Sequence, residues 1–336
     1  MALNSRQRVL AALRREAVDR APAINPTSVA TLELMDRAGA AFPEAHRDPA
    51  AMARLAAAGH TELGFDSVMP VFSIVQESAV LGCRVEWGAR NGWPAVKMRE
   101  PIWRDPDEIR IPANLLTAPE TACVLEAIRI LKRQFGDEVA VLGKTMGPWT
   151  LAYHCFGLEP FLLMTVDDPG KVHQCLDRLK EVTVAFGRAQ IDAGADALTL
   201  PDHATGDLVS GAYYTRFLRD LHREMAGRLP APLILHICGR TLDRIEAIAQ
   251  TGVAAFHFDS KNPPREAMRL AGGRMALAGS VNNPVTLLTK GPEEVRREAL
   301  ENLTAGVGLL APECAVPLET RLENLRQIPL AARQKA

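Results

Sequence analysis

The feature that most constrains the fold is the alternation of short apolar segments with longer amphipathic ones along most of the chain. The short segments are apolar and often β-branched, as strands buried on both faces are, and the long ones carry apolar residues at helical spacing. Eight short segments are predicted to be strands: Ala21–Asn25, Ser67–Phe72, Val139–Leu142, Ala197–Leu200, Leu233–His236, Ala254–Phe258, Met275–Leu277 and Gly308–Leu310. Strands alternating with helices predict an α/β protein, and eight of them predict a (β/α)8 TIM barrel.

The chain is longer than a minimal barrel, which needs about 250 residues, since it has 336. The surplus falls in Val75–Pro112, where Trp87, Trp93 and Trp103 alternate with turn residues, and we expect an inserted hairpin there, near the barrel mouth. A doubly wound sheet is the alternative fold, but no GxGxxG follows an early strand. No internal repeat or linker interrupts the sequence, so residues 1–336 are predicted to form a single domain.

Charge and composition exclude several classes of protein. The 39 basic and 40 acidic residues give a formal charge of −1, which provides no broad field for nucleic acid or an anionic membrane. No apolar run approaches the roughly 20 residues needed to span a bilayer, and the N-terminus lacks the apolar centre of a signal peptide. The six cysteines are widely scattered, unlike a disulfide framework. We therefore expect a cytoplasmic protein with neither nucleic-acid nor membrane partners.

The sharpest local motif is His236-Ile237-Cys238 at the end of a predicted strand. Residues two apart in a strand point the same way, so both side chains can reach one ion at the rim where barrel enzymes place their active sites. Cys314 follows the predicted eighth strand and occupies the same rim. Two thiolates and one imidazole suit Zn²⁺ and leave a coordination position for a substrate. The alternative is that all three are ordinary buried residues.

A second polar group follows the predicted fourth strand, in the sequence Pro201 to Asp207 (PDHATGD). Asp202 and His203 are the candidate catalytic residues, because side chains at the strand ends of a barrel line the pocket and can orient a substrate there. The simpler interpretation is structural, since an Asp such as Asp207 often caps a turn or a helix.

Several motifs in order make the whole chain similar to the uroporphyrinogen decarboxylase superfamily, and within it to the zinc-dependent methylcobamide:coenzyme M methyltransferases. They are residues 6–13 (RQRVLAAL), 18–22 (VDRAP), 143–150 (GKTMGPWT), 193–196 (AGAD), 235–239 (LHICG), 279–281 (GSV), 311–317 (APECAVP) and 320–324. The HxC motif with a distal Cys is the specific part of this resemblance, whereas the other motifs are common to the superfamily.

The resemblance implies that His236, Cys238 and Cys314 bind a catalytic zinc ion. A displaceable carboxylate can complete such a site, and Asp259 is the nearest candidate, although an acidic residue there equally suits a cap or an ion pair. The implied reaction moves a methyl group from a methylated corrinoid, methylcobalamin or a relative, to a small thiol, with coenzyme M as the expected acceptor. The chain has no DxHxxG-type corrinoid-binding segment, so we expect the corrinoid to arrive on a partner protein.

Three alternatives follow from the same residues. The first is methyl transfer to homocysteine or another acceptor. The second is a decarboxylase of the uroporphyrinogen decarboxylase type, although residues 26–31 (PTSVAT) have no Arg to hold the carboxylates of a tetrapyrrole. The third is a non-catalytic zinc or corrinoid-binding module with a closed four-ligand site.

Overall fold

The computed structural model describes residues 3–334 and is organised around a parallel sheet of seven strands. Nine strands occur in chain order: β1 (Ser67–Val68), β2 (Val85–Glu86), β3 (Ala95–Val96), β4 (Ala140–Lys144), β5 (Ala197–Pro201), β6 (Leu233–Ile237), β7 (Ala255–Phe258), β8 (Ala276–Val281) and β9 (Leu309–Pro312). Strands β1 and β4 to β9 form the curled sheet in the order β1-β4-β5-β6-β7-β8-β9, so every pair after β1 joins neighbours in sequence. The predicted α/β class is confirmed.

Helices fill the connections between these strands. The α-helices are α1 (Ser5–Leu13), α2 (Leu32–Ala38), α3 (Pro49–Thr61), α4 (Gln76–Val80), α5 (Pro119–Phe135), α6 (Pro148–Phe156), α7 (Leu158–Asp167), α8 (Pro169–Asp192), α9 (Gly211–Phe217), α10 (Arg219–Arg228), α11 (Ile245–Ile248), α12 (Pro264–Ala271), α13 (Pro292–Thr304), α14 (Leu322–Leu325) and α15 (Gln327–Ala332). No helix within residues 3–334 is long and apolar enough to cross a membrane. Two helices, α9 and α10, lie between β5 and β6 and are separated by the single residue Leu218.

The predicted first strand appears as a single bridge, in which Ala23 pairs with Leu310. Its backbone nevertheless bonds to both edges of the sheet. On one side Ile24 N donates to Leu310 O at 2.8 Å, and on the other Asp66 N donates to Ala23 O at 2.7 Å. Residues 22–24 thus connect the two edge strands, β1 and β9.

The surplus segment contains a separate two-stranded antiparallel ladder, in which Val85 pairs with Val96 and Glu86 with Ala95. Its predicted role as a hairpin at the barrel mouth remains a prediction, as does the assignment of residues 1–336 to one domain. Residues 1–2 and 335–336 of that domain lie outside the described residues.

A buried carboxylate, Asp66, holds the first edge of the sheet together. It lies next to β1 and is 2% exposed. It accepts hydrogen bonds from Arg20 at 2.8 Å, from Arg8 at 3.1 Å, from Ser5 Oγ at 2.7 Å and from Ala23 N at 3.0 Å. Burial opposes its ionisation, but the hydrogen bonds from Arg20 and Ser5 and the charge of Arg20 hold the pKa of Asp66 below its ordinary value.

We expect Asp66→Asn to lower the free energy of unfolding by about 3–5 kcal/mol at pH 7, because it removes the buried carboxylate that pairs with Arg20 and also with Arg8. The contribution of Asp66 is present above its unfolded-state pKa of 3.8 and is lost as the pH falls through the lower folded-state value. The difference between wild type and variant should therefore shrink below about pH 3.8 in urea titrations. Asp19→Asn is the control, since Asp19 pairs with Arg8 from a side chain that is 34% exposed. It should change stability by about 1 kcal/mol or less.

Candidate metal centre

The carboxyl ends of β6 and β9 bring together the imidazole and thiols expected from the sequence. His236 lies within β6, Cys238 follows that strand directly, and Cys314 lies two residues after β9. The Sγ atom of Cys314 is 3.5 Å from Nε2 of His236, although the two residues are 78 positions apart in the chain. All six cysteines are free, and Cys238 and Cys314 are the two that are half-buried rather than buried.

The orientation of His236 is fixed from behind by the neighbouring strand. Its Nδ1 lies 3.2 Å from the backbone carbonyl of His257 and must donate to it, which leaves the lone pair of Nε2 directed toward Cys314. Burial, followed by the nearby His257 and His203, lowers the pKa of His236 well below its ordinary value. The ring is therefore neutral, as a metal ligand must be.

His257, on β7, supports the second part of the cluster and was missed by the sequence analysis. Its Nε2 donates to the carbonyl of Pro312 at 2.7 Å, two residues before Cys314. Its ring also lies against that of His236, with 4.5 Å between the ring centres. A single buried side chain thus braces both the imidazole and the segment that carries the distal thiol.

The two thiols interact with each other. Contact with Cys314 lowers the pKa of Cys238, and the same contact, with burial, raises the pKa of Cys314. One of the two sulfur atoms therefore loses its proton more readily than a free thiol does. This division is typical of two sulfur atoms that compete for one proton.

The donor set suits zinc in chemistry and in spacing. A thiolate sulfur and an imidazole nitrogen bound tetrahedrally to one Zn²⁺, at about 2.3 Å and 2.0–2.1 Å, lie about 3.6 Å apart. The observed separation of 3.5 Å between Cys314 and His236 is close to that value. Within residues 3–334, however, no group of three or more His, Cys, Asp or Glu side chains is already arranged around a common point. Cys238, whose thiol contacts that of Cys314, is the remaining side chain of the expected ligand set.

The carboxylate of Asp259, the expected fourth ligand, accepts hydrogen bonds from the backbone around it. One carboxylate oxygen accepts from Gly239 N at 2.8 Å, and the other accepts from Lys261 N at 2.9 Å. Gly239 has φ of +79°, and a Cβ there would lie 2.2 Å from Oγ1 of Thr205. The carboxylate therefore fixes the tight turn that follows Cys238, and its role as a metal ligand remains a prediction.

The two candidate catalytic residues, Asp202 and His203, lie in different environments. Asp202 is fully buried; one oxygen accepts from Thr150 N at 2.8 Å, at the start of α6, and the other lies 3.0 Å from Nε2 of His222. His203 is half-buried, and burial lowers its pKa. The catalytic roles of Asp202 and His203 both remain predictions. Asp207 is exposed, with Lys261 3.6 Å away.

A buried polar cluster near the site was also missed, and it contains His46, Gln76, Glu77 and Lys144. Lys144 ends β4 and is 2% exposed. Burial lowers its pKa to about 8, while the charges of Cys314 and Glu77 oppose that change. The available signal was a lysine directly after an apolar strand, in residues 139–144 (VAVLGK), where a buried cation is unusual.

The structure is thus an α/β protein that places a histidine and two cysteines at the carboxyl ends of its parallel strands. A family model described as Uroporphyrinogen decarboxylase (URO-D) matches residues 4–334. The chain belongs to the uroporphyrinogen decarboxylase family, which confirms the resemblance found in the sequence.

Relatives at about one-third identity extend over nearly the whole chain. "Methylcobamide:CoM methyltransferase MtaA" of Methanosarcina barkeri is 32% identical over 98% of this chain and 97% of that relative. "Methylcobamide:CoM methyltransferase MtbA" of Methanosarcina acetivorans is 32% identical over 96% of each. A solved structure described as a methyltransferase from Methanosarcina mazei has a TM-score of 0.95 and 30% identity, with 98% of each chain covered.

We expect Gly147→Ala to disrupt the folded site, because a Cβ there would lie 2.2 Å from Cγ of the buried Asp202. Neither group can move freely, since Asp202 is bonded to α6 and to His222. Urea unfolding should show a loss of several kcal/mol or no cooperative transition. Gly227→Ala in α10 is the control, since nothing lies within 4 Å of the new Cβ. It should stabilise the protein by about 0.5–1 kcal/mol, and equal effects of the two variants would contradict the prediction.

Proposed function

We propose that the protein is a zinc-dependent methyltransferase that moves a methyl group from a methylated corrinoid, carried by a partner protein, to a small thiol, with coenzyme M as the acceptor. The observation that carries the proposal is the pairing of Cys314 with the neutral His236 at strand ends, next to Cys238. The printed names of relatives with 32% identity over nearly the full chain support the same reaction.

In this proposal His236, Cys238 and Cys314 hold the ion, and the acceptor thiol takes the remaining position. When bound, zinc supplies a stabilised thiolate at neutral pH. The chain's own residues then have defined tasks: His257 orients His236 and holds the segment before Cys314, while Asp259 holds the turn after Cys238. With Asp259 engaged by two backbone N–H groups, we assign it to positioning the Cys238 loop.

The transfer itself breaks the cobalt–carbon bond of the methylcorrinoid and forms a carbon–sulfur bond to the thiol. The electron pair of the broken bond stays on cobalt, and the thiol proton leaves to solvent. Two thiolates and an imidazole favour this use of zinc over hydrolysis, because they generate hydroxide less readily than an all-histidine site does. His203, half-buried beside His236, is the side chain we assign to contact with the substrates.

We propose the (β/α)8 barrel as the complete architecture, with residues 22–24 as its eighth strand. Their hydrogen bonds to β9 and next to β1 support this assignment. The corrinoid-bearing partner would then dock at the carboxyl ends of the strands, where His236 and Cys314 meet. The ladder of β2 and β3 is proposed as the inserted hairpin at that face.

We expect the purified protein to contain about one zinc ion per chain, and Cys238→Ala or Cys314→Ala to remove most of it. Inductively coupled plasma mass spectrometry would measure the metal, and circular dichroism would verify that the variants stay folded. Cys175→Ala is the matched control, because Cys175 is a fully buried thiol in α8, on a different element from His236, Cys238 and Cys314. It should retain the metal content of the wild type. Full zinc occupancy in both site variants would sink the assignment.

We expect the protein to demethylate methylcobalamin in the presence of an acceptor thiol and not in its absence. The absorbance change from methyl-Co(III) to Co(I) or Co(II) measures the reaction, and a cognate corrinoid protein should raise the rate. His236→Ala should reduce it by at least about 100-fold, because loss of an outer-shell partner of a metal site already costs about 10–100-fold and His236 is a proposed ligand. His173→Ala, an exposed histidine on α8, is the control. Equal rates with and without thiol would exclude thiol-dependent methyl transfer.

A further inference from the structure

A second pair of thiols is in contact on elements that do not carry the candidate metal ligands. The Sγ atoms of Cys83 and Cys155 are 3.7 Å apart, although the two residues are 72 positions apart in the chain. Cys83 lies in the turn that follows α4, and Cys155 lies in the last turn of α6. Both are free thiols. The fold therefore places two oxidisable sulfur atoms side by side on separate elements.

A disulfide bond requires only a short approach of these two sulfur atoms, from 3.7 Å to about 2.05 Å. The helix end that carries Cys155 is fixed, because all nine residues of α6 are buried and the carbonyl of Cys155 accepts from Ile102 N at 2.9 Å. The turn that carries Cys83 is the freer side. Gly82 is exposed, with φ of +105°, and a Cβ there would meet no atom of the described residues within 4 Å. We therefore expect Cys83 to move toward Cys155.

The two thiols differ in their access to solvent. Cys83 is 7% exposed and lies between two exposed residues, Gly82 and Arg84, whereas Cys155 is fully buried. Burial, followed by the hydrogen bond with Cys83, raises the pKa of Cys155 well above its ordinary value. A small oxidant therefore reaches Cys83 first, and Cys155 is the thiol that reacts with the oxidised product.

The pair adjoins a histidine near the candidate site. His154 directly precedes Cys155, and its carbonyl accepts from Cys83 Sγ at 3.5 Å. Its Nδ1 lies 2.7 Å from Oγ of Ser78, whose carbonyl accepts from Cys83 N at 2.9 Å. Burial, followed by the charge of His203, lowers the pKa of His154 to about 3. A bond between the two cysteines would therefore displace the groups around His154, on the side of the candidate site where His203 lies.

We propose that Cys83 and Cys155 form a redox modification site, at which a peroxide converts the two thiols to a disulfide bond between the turn after α4 and α6. As the O–O bond breaks, one oxygen passes to Cys83 to give a sulfenic acid, and water or an alcohol leaves. The sulfur of Cys155 then attacks that of Cys83, and the hydroxyl leaves with the Cys155 proton as water. Two electrons thus pass from the two thiols to one peroxide. A small thiol in excess restores the pair and becomes a disulfide itself.

Peptide mapping tests the inference without measuring methyl transfer. Zinc-loaded protein would be treated with hydrogen peroxide, alkylated in denaturant, digested with trypsin and analysed by mass spectrometry. Cleavage after Lys and Arg places Cys83 in residues 55–84 and Cys155 in residues 145–171, each with a single cysteine. We expect these two peptides to be joined in most molecules, and to separate after treatment with dithiothreitol.

Cys83→Ala should abolish the joined peptide, because it removes the thiol that the oxidant reaches first. Cys123→Ser is the control: Cys123 is a buried thiol of α5, and burial, with the charge of Asp48, raises its pKa to about 12. This variant should form the joined peptide as the wild type does. The map of the wild type decides the assignment even if a variant fails to fold.

A second measurement follows the effect on His154. We expect the Hε1 resonance of His154 in proton NMR to shift on oxidation of the wild type and of Cys123→Ser, but not of Cys83→Ala, and to return with dithiothreitol. An unchanged resonance in the crosslinked wild type would overturn the effect on the candidate site.

The site itself would be overturned if Cys83 and Cys155 stayed reduced at a peroxide concentration that oxidises Cys238 and Cys314 of the zinc-free protein. It would also be overturned if residues 145–171 were joined instead to residues 172–178, which contain Cys175. Neither result bears on methyl transfer, because the thiol pair shares no residue with the candidate metal centre. Conversely, a failed demethylation assay leaves the peptide map unchanged.

Discussion

The connection of the two sheet edges through residues 22–24 is the constraint on which the rest of the structure depends. One short segment bonds to Leu310 of β9 on one side and to the backbone of Asp66, next to β1, on the other. Asp66 secures that contact by binding Arg8, Arg20 and Ser5. With the edges joined, the sheet is held in its curl, and side chains from strands that are not neighbours can meet inside it. His236 of β6 and Cys314 after β9 meet in this way.

The candidate ligands His236, Cys238 and Cys314 are held in position by hydrogen bonds from residues that are not themselves proposed to bind the ion. His257 of β7 accepts from His236 through its backbone and donates to Pro312 through its ring. Asp259 likewise holds the turn after Cys238, because its carboxylate accepts a hydrogen bond from Gly239 N. A histidine whose second ring nitrogen is held by a buried hydrogen bond has one available tautomer and orientation. Little ordering of that side chain is therefore needed when an ion or a substrate binds.

The sequence predicted the strand positions well because buried parallel strands have a strong apolar signature. Seven of the eight predicted strands form the sheet. The remaining one, predicted at 21–25 as the first strand in chain order, is reduced to one bridge. The HxC motif with the distal Cys314 indicated the site because residue spacing and the ends of apolar strands can be recognised directly in the sequence. The supporting contacts were not predictable: nothing in the sequence reveals that the ring of His257 reaches Pro312, or that Asp202 is buried between Thr150 and His222. Such contacts depend on how distant strands align.

The joining of Ala23 to Leu310 has a consequence for how this protein is made. The two partners are separated by most of the chain, so during synthesis the N-terminal segment emerges from the ribosome long before β9 exists. Until then, one side of residues 22–24 has unsatisfied backbone groups and an apolar surface, which is the type of intermediate that chaperones bind. The pairing of residues 22–24 with β9 is therefore a late step in the folding of the chain. The candidate site, which includes Cys314 just after β9, is therefore assembled only at about the time when the sheet itself is completed.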